Sequence, residues 1–372
     1  MMNTRFHYAL ILSATLLFSG TASAAPQYKL TELLPLQTAE ADGSASNAYG
    51  INDHGVAVGW SDIYWRSPPA SVYWVNGVAS RLPGRIGYDS AHGINNHGHI
   101  IGTEWDDKAI LWKNGIFHEL TVPFPTYWTE ANGINDNGII VGAAANADYK
   151  RAGYWENESY QQLSQLYSFE SSAKAVNEAG KIVGYSNTSS ALNASSVATV
   201  WENGNVIALD GFSANAHSQA NAVNDLGHVV GFSTDASGNR LAAFWDDSGV
   251  TSLGALAGFS QSEALGINDA GFIVGLSTHI DEFGRQSRAA TLWADGQIYN
   301  LQDLIENLGA DWVVFSVNGI NAKGQIVGTA YIDDGFYPLN RGYVLTPVPE
   351  PSHLALLLAG IGLLFMSKRR QA

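Results

Sequence analysis

Hydrophobic and polar positions follow one pattern that repeats seven times along the chain. In each repeat an apolar segment runs into a turn close to G-I-N-D-x-G, and a second apolar segment such as Ile139 to Val141 ends at a glycine. A third segment ends at an aromatic residue before an Asn-Gly or Asp-Gly turn and a fourth segment. Such turns join antiparallel strands, so each repeat is predicted to hold four strands and two tight hairpins. The central asparagines are Asn52, Asn95, Asn135, Asn177, Asn224, Asn268 and Asn321.

The spacing of the repeats predicts the fold class. Successive central asparagines lie 40 to 53 residues apart, which suits one small antiparallel sheet per repeat, stacked or arranged radially. The seventh repeat stops near Leu345 without a fourth strand, while Tyr28 to Leu36 reads as a spare fourth strand. Pairing the two would close a ring and remove exposed sheet edges. We therefore predict an all-β, seven-bladed β-propeller of four-stranded antiparallel blades, closed by the N-terminal strand joining the last blade, rather than a linear solenoid.

Two further positions recur in every repeat. The glycine that ends the second segment indicates a close backbone approach or a sharp bend. The aromatic residue of the third segment is placed once per repeat, which predicts a core position: Trp74, Trp112, Trp155, Trp201, Trp245, Trp293 and Tyr343. Two repeats depart from the pattern, with Glu158 in place of a turn glycine and Ala322 in place of the acidic residue. These departures put single turns in doubt but leave the fold prediction unchanged.

The first 24 residues have the features of a signal peptide. Arg5 precedes an apolar run from Ala9 to Phe18, and the small residues Ala22, Ser23 and Ala24 form a cleavage site. The alternative is a membrane anchor, but the apolar run is short for a membrane span. We predict export, with residues 25–348 as the seven-repeat propeller.

The C-terminal tail, residues 349–372, resembles the PEP-CTERM sorting signal. The motif Pro349, Glu350 and Pro351 precedes an apolar stretch from Leu354 to Met366 and a basic cluster that ends at Arg370. The resemblance implies an exosortase-type processing enzyme as partner and the cell envelope, cell surface or exterior as location. Before processing, the short hydrophobic segment would lie in the inner membrane. The alternative is a permanent C-terminal transmembrane anchor.

The repeats themselves resemble the HAF-type extracellular repeat of bacterial surface proteins. The segment from Leu241 to Gly258 reads LAAFWDDSGVTSLGALAG, with the GIND and IVG segments on either side. The resemblance covers nearly all of residues 28–346. It implies an extracellular protein but brings no defined activity.

Composition fits an exported protein. The chain has no cysteine, so it takes no disulfide support and depends on its core and on ring closure. Its 34 acidic and 19 basic residues give a formal net charge of −15, which argues against nucleic acid or an anionic membrane surface as partner.

The strand order predicts where a ligand binds. Both short turns of each repeat lie on one face, so the variable loops emerge on the opposite face, and loops on a rigid scaffold commonly carry function. Flat rings beside carboxylates and amides suit the stacking and hydrogen bonding that sugars need. The alternative is that many of these aromatics pack between blades. The candidate ligand-binding residues are Trp60, Tyr64, Trp65, Trp105, Asp106, Asp107, Tyr149 and Arg151.

No cofactor or metal is predicted. The N-D-x-G turn offers two oxygen ligands where calcium needs several, and its asparagine is expected to bond its own turn backbone. The ten histidines form no set with zinc-ligand spacing. No nucleophile-elbow, phosphate-loop or dinucleotide motif is present. The acidic pairs that could serve a carbohydrate-active enzyme are Asp106 with Asp107, Asp281 with Glu282, and Asp333 with Asp334.

These features together predict a secreted or surface-displayed, non-enzymatic binding or structural propeller. We expect it to recognise extracellular polysaccharide or an envelope component through its loops, as an adhesion or matrix protein. The alternatives are a glycosidase or lyase on a propeller scaffold and a protein-binding scaffold.

Overall fold

The computed structural model describes residues 25–36, 44–63, 69–84, 90–104, 107–146, 149–190, 195–333 and 339–349. These residues form seven four-stranded antiparallel sheets whose first strands contact one another in a closed ring. The fold prediction is confirmed. The signal peptide and the sorting tail beyond Pro349 lie outside the described residues.

The strands of blades I to III follow the predicted order. Blade I holds β2 (Ser46–Ile51), β3 (Ala57–Ser61), β4 (Ala70–Val75) and β5 (Val78–Arg81). Blade II holds β6 (Ser90–Ile94), β7 (Ile100–Thr103), β8 (Ala109–Lys113) and β9 (Ile116–Glu119). Blade III holds β10 (Trp128–Ile134), β11 (Ile140–Ala145), β12 (Lys150–Glu156) and β13 (Ser159–Gln162).

Blades IV to VII complete the ring. Blade IV holds β14 (Ser171–Val176), β15 (Ile182–Asn187), β16 (Ser196–Glu202) and β17 (Asn205–Ala208). Blade V holds β18 (Ser218–Val223), β19 (Val229–Thr234), β20 (Arg240–Asp246) and β21 (Gly249–Ser252). Blade VI holds β22 (Gln261–Ile267), β23 (Ile273–Ile280), β24 (Gln286–Ala294) and β25 (Gln297–Asn300), followed by a short 3-10 helix (Leu301–Leu304). Blade VII holds β26 (Trp312–Ile320), β27 (Ile326–Ile332), β28 (Leu339–Pro347) and, as its fourth strand, β1 (Tyr28–Leu33).

The N-terminal strand closes the ring as predicted. β1 pairs antiparallel with β28 from Tyr28 opposite Pro347 to Leu33 opposite Gly342. Tyr28 and Leu33 are both fully buried. The closure therefore combines a ladder of backbone hydrogen bonds with two core side chains.

The central asparagines do more than the sequence predicts. The Oδ1 of Asn52 accepts hydrogen bonds from the backbone N–H groups of His54 and Val56, at 3.1 and 3.0 Å, so the bond to its own turn is confirmed. Its Nδ2 also donates to the Asn95 carbonyl of the next blade at 3.1 Å. The same bond recurs between every pair of neighbouring blades and closes from Asn321 to Asn52 at 2.8 Å. The seven amides thus form an unbroken ring around the channel, which we call the asparagine ring.

The recurring aromatics lie in the core, as predicted. All seven are at most 4% exposed. Five of the indoles donate Nε1–H to a backbone carbonyl of the preceding inter-blade link, for example Trp245 to Asp210 at 2.7 Å. The exception is Trp293, whose Nε1 has no hydrogen-bond partner among the described residues. The hydroxyl of Tyr343 donates to the Ser316 carbonyl at 2.7 Å.

The glycine that ends each second strand permits a close backbone approach. A Cβ at Gly142 would overlap the Glu130 carbonyl of the first strand, and one at Gly231 would overlap the Gln219 carbonyl. The ladder between the first two strands shifts register opposite these glycines, as expected at a β-bulge. The doubtful turn of blade III keeps the same shape as its equivalents, because Asn157 and Glu158 take positive φ values of 50° and 63°.

Candidate functional site

The first strand of each blade lines a central channel with two different mouths. The N-D-x-G turns and the third-to-fourth strand turns lie on one side, here called the turn face. The loops between second and third strands and the inter-blade links lie on the other side, here called the loop face. Because successive residues of a strand alternate in direction, the side chains of each first strand point in turn toward the two neighbouring blades, and the strand edge borders the channel.

The turn-face mouth carries a second ring, formed by the residue that follows each central asparagine. The backbone N–H of Asp53 donates to the Asn96 side chain at 2.8 Å, and that of Asn96 donates to Asp136 at 2.7 Å. The series continues through Glu178, Asp225 and Asp269 and resumes from Ala322 to Asp53. It is interrupted where Ala322 has no acceptor to offer.

The acidic groups of this second ring are engaged with the protein. The Asn96 amide donates to the carboxylates of both Asp53 and Asp136 at 2.9 Å. Burial and the nearby charges of Asp136 and Asp225 raise the pKa of Glu178. Among the described residues, no three His, Cys, Asp or Glu side chains are grouped so that they could hold a metal ion. The turn-face mouth is therefore best explained as a structural joint between blades.

The loop-face half of the channel is more varied. Three residues before the central asparagine, the bulged first strand of three blades places an asparagine whose side chain reaches the next blade. Asn132, Asn221 and Asn318 each donate there to a backbone carbonyl of the next blade, at 2.8, 2.8 and 2.6 Å. The equivalent residues in the other blades are Tyr49, His92, Lys174 and Leu265. These substitutions give the loop-face half a chemistry that differs around the ring.

Charged groups converge on this half of the channel at the boundary between blades III and IV. One oxygen of the Glu130 carboxylate accepts from Lys150 at 2.9 Å and from Asn132 at 3.0 Å, and the Ser172 hydroxyl also donates to it. Burial alone would raise the pKa of Glu130, but the cations of Lys150 and Lys174 outweigh it and hold that pKa below its usual value. Glu130 is therefore an ionised carboxylate, with one oxygen engaged by three donors.

Lys174 supplies a second cation to this cluster. Its ammonium lies 5.9 Å from the ring centroid of Tyr185 and forms no ion pair or hydrogen bond with a described residue. Burial, together with the charge of Lys150, lowers the pKa of Lys174 against the opposing effect of Glu130. Lys150 and Lys174 against one carboxylate leave a local excess of one positive charge.

Aromatic rings border the same cluster. The Lys150 ammonium lies 5.0 Å from the ring centroid of Trp128 and 5.8 Å from that of Tyr185. Both rings are half-buried, so part of each remains accessible. We call Trp128, Glu130, Lys150, Lys174 and Tyr185 the lysine cluster.

A second charged pair lies at the boundary of blades V and VI. Arg240 contacts the Glu263 carboxylate at 2.6 Å and lies 3.5 Å from the ring centroid of Phe232. Asn221 also donates to Glu263 at 2.9 Å. Here one cation matches one anion, so this pair leaves no excess charge.

The structure separates the predicted site residues. Trp60 lies in β3 rather than in a loop, and its Nε1 donates to the Tyr49 hydroxyl at 3.0 Å beside the channel. The Asp107 carbonyl accepts the Thr129 N–H of the next blade at 2.8 Å. Tyr64, Trp65, Trp105, Asp106, Glu350 and Pro351 lie outside the described residues.

The remaining two predicted residues lie together near the boundary of blades III and IV. The Arg151 guanidinium stacks 4.6 Å from the ring centroid of Tyr149. It donates to the Phe169 and Ser168 carbonyls, at 2.5 and 3.0 Å, and so ties β12 to the next inter-blade link. Arg151 therefore has a structural contact of its own, whereas its neighbour Lys150 reaches the lysine cluster.

The sequence does not single out Glu130, Ser172 or Lys174, because none of them lies in a variable loop. All three belong to first strands, which the repeat pattern treats as structural. The signal available was a charged or polar residue three or five positions before the central asparagine, in strands otherwise made of small and apolar residues.

Comparison with known proteins supports the fold. No protein-family profile matches the chain, and no curated protein matches it in sequence. The structure is similar to the β-propeller domain of the Trilobed protease from Pyrococcus furiosus, with 12% identity, a TM-score of 0.53, and coverage of 83% of this chain and 99% of that domain.

Two further similar solved structures have lower TM-scores. YCF48 bound to a peptide shares 11% identity at a TM-score of 0.47, over 88% of this chain and 98% of its own. A gluconolactonase from Xanthomonas campestris shares 10% identity at a TM-score of 0.40, over 68% of this chain and 83% of its own.

Within the ranges that the structure describes, no helix has the length and apolar character needed to cross a membrane.

Proposed function

We propose that this propeller binds extracellular polysaccharide at the loop-face mouth of its channel, without cleaving it, as a matrix or adhesion protein. The observation that carries the proposal is the lysine cluster, where the accessible rings of Trp128 and Tyr185 stand beside charged and hydrogen-bonding groups. Sugar rings stack on aromatic faces while their hydroxyls need nearby donors and acceptors.

The state of Glu130, Glu263 and Asp281 argues against hydrolysis at these three groups. A glycosidase needs one carboxyl group whose pKa is raised so that it can donate a proton. The pKa of Glu130 is instead lowered, and Glu263 is engaged by Arg240 and Asn221. Asp281 accepts from the backbone of its own loop, and the hydrogen bonds from Arg285 lower its pKa. None of these three groups suits the role of a general acid.

A glycan array probed with the purified protein tests the proposal. Tyr185→Ala and Trp128→Ala are each expected to weaken binding of any retained glycan about tenfold or more. Loss of one stacking contact removes about 1 to 2 kcal/mol of binding free energy, and about 1.4 kcal/mol corresponds to a tenfold change in Kd. Tyr154→Ala is the matched control, because Tyr154 lies in β12 but donates its hydroxyl to Gln161 at the outer strand.

Three outcomes of the array separate the candidate functions. Retention of a glycan without cleavage products supports a matrix or adhesion role. Products released from the bound glycan would establish a carbohydrate-active enzyme instead. Failure to retain any glycan would overturn the polysaccharide proposal and favour a protein-binding scaffold.

We also propose that the protein is exported and handled by an exosortase-type enzyme. The proposal rests on the signal-peptide features of residues 1–24 and on the PEP-CTERM resemblance of residues 349–372. Replacing the Pro349 to Pro351 motif with alanines should leave an unprocessed, membrane-retained protein, detected by fractionation and by the mass of the C-terminal peptide. Unchanged release and mass would contradict it.

A further inference from the structure

The lysine cluster has more positive charge than its own contacts require. Lys150 is engaged by Glu130 at 2.9 Å and by the Tyr185 hydroxyl at 3.4 Å. One oxygen of Glu130 in turn accepts from Lys150, Asn132 and Ser172. Lys174 lies beside Tyr185 with no ion-pair partner among the described residues, although most of its surface is removed from water.

A partly buried ammonium without a counter-ion is costly, because burial penalises the charged form. The surroundings do not compensate Lys174 fully, since Glu130 is shared with Lys150. His92, on the first strand of blade II, adds no negative charge, and burial lowers its pKa so that it is neutral at pH 7. The whole chain has a net charge of −15, so the lysine cluster is a locally positive site on an acidic protein.

We propose that Lys174 receives a sugar unit that carries a single negative charge, either a uronate carboxylate or a sulfate ester, with the sugar ring lying against Tyr185 and Trp128. This inference rests on the polysaccharide proposal and adds the class of sugar. One negative charge matches the excess of one positive charge in the lysine cluster. A doubly charged phosphate monoester would add an unmatched charge close to Glu130.

Long-range electrostatics restrict the ligand further. The acidic chain repels a polyanion at a distance, so attraction exists only at short range, where one charged unit enters the channel mouth. The geometry therefore favours a polymer with widely spaced acidic units, or one acidic end unit, over a densely charged chain.

Binding of three polymers tests the proposal. A polysaccharide with widely spaced uronate units, the same polysaccharide with its carboxyl groups reduced to alcohols, and a sparsely sulfated derivative of the reduced form would be titrated against the purified protein. At least tenfold tighter binding of the uronate or sulfated form than of the reduced form is expected. The form that gains affinity identifies which acidic group the site takes.

Variants assign that preference to the site. Lys174→Gln should abolish the preference, so that the uronate, sulfated and reduced forms bind equally to that variant, and Lys174→Arg should retain it. Lys181→Gln is the matched control, because Lys181 follows the turn of the same blade and pairs with Glu202 at 3.7 Å on the turn face. Thermal unfolding of each variant verifies that it is folded.

The outcomes separate this inference from the proposal it rests on. Equal binding of all three polymers, or a preference that survives in Lys174→Gln, would overturn the acidic-sugar inference and leave polysaccharide binding intact. If none of the three binds and the array also retains no glycan, both proposals fail.

Discussion

At the scale of single residues, the backbone of Glu158 shows how the repeat tolerates a departure from its pattern. Its φ of 63° falls in the left-handed region, which the equivalent glycines Gly115 and Gly204 occupy at 74° and 77°. Residues with a Cβ pay about 1–2 kcal/mol there. The paired strands β12 and β13 on either side of the turn hold it in this conformation.

Glu158→Gly is therefore expected to stabilise the protein by about 1 kcal/mol. Glycine adopts this φ without the steric cost, but part of that gain is offset because glycine loses more conformational entropy on folding. The measurement is the free energy of unfolding in urea. Glu158→Ala is the control, since it also removes the contact to His118 at 3.5 Å but keeps the Cβ. A gain of equal size in both variants would assign the effect to charge instead of backbone strain.

The recurring tryptophans allow the contribution of one hydrogen bond to the free energy of unfolding to be measured within a single protein. Trp245 and Trp293 are 3% and 4% exposed, yet Trp245 donates to Asp210 and Trp293 has no partner among the described residues. Replacing either by phenylalanine removes the same atoms from a similar core. Trp245→Phe should cost about 1 kcal/mol more than Trp293→Phe, because it also leaves the Asp210 carbonyl unpaired.

The comparison uses the free energies of unfolding of the two variants. Equal losses would show that the indole N–H contributes nothing net at this position. A larger loss at Trp293 would contradict the assignment of its N–H as unpaired.

At the scale of elements, hydrogen bonds also join the N-D-x-G turns of neighbouring blades. The ring of side chains that accept backbone N–H groups from the preceding blade is broken between Asp269 and Ala322. Asn96 shows that an amide serves this position well, because it accepts from Asp53 and donates to two carboxylates.

Ala322→Asn should complete this ring and stabilise the protein by about 1 kcal/mol, the usual net value of an added hydrogen bond. Its oxygen would accept from the Asp269 N–H, and its amide would donate to neighbouring carboxylates. Ala322→Asp is the control: it supplies the acceptor but adds a like charge, so its gain should be smaller and should grow as salt is added. Unfolding measured at low and high salt tests both, and a destabilised Ala322→Asn would refute the geometry.

The sequence was sufficient for the fold and insufficient for the site, for a physical reason. Turn chemistry, burial of Trp74 and its equivalents, and ring closure are set by residues that recur in every blade, so periodicity shows them. The lysine cluster arises where strands of two blades bring together Glu130, Lys150 and Lys174 at positions that vary between repeats. Contacts between positions 20 or more residues apart become visible only when the blades are placed in space.

At the scale of the whole molecule, the ring depends on β1. Tyr28 and Leu33 are buried on blade VII, and the Arg341 guanidinium donates to Glu32 at 3.0 Å. Loss of β1 would expose the edge of β28 and remove two buried side chains, each contributing about 2 kcal/mol.

Deleting residues 25–36 is expected to lower the free energy of unfolding by about 4 kcal/mol or more and to cause association through the exposed edge. Calorimetry and light scattering measure these effects. Adding a synthetic peptide of residues 25–36 should restore the thermal transition. Glu32→Gln, which alters only the ion pair with Arg341, should shift it slightly. A deletion variant as stable as the parent would show that closure by β1 is dispensable.

The pairing of β1 with β28 also determines the face of the propeller from which the chain leaves after its last strand. Thr346 and Pro347 lie against Gln325 and Gly324 of a turn-face hairpin, and the Val348 N–H donates to the Gln27 carbonyl at 2.8 Å. Whatever follows Val348 therefore leaves from the turn face. A tether attached there would leave the loop face, with the lysine cluster, pointing away from the surface that bears the tether. The turn face, with the asparagine ring, would point toward that surface.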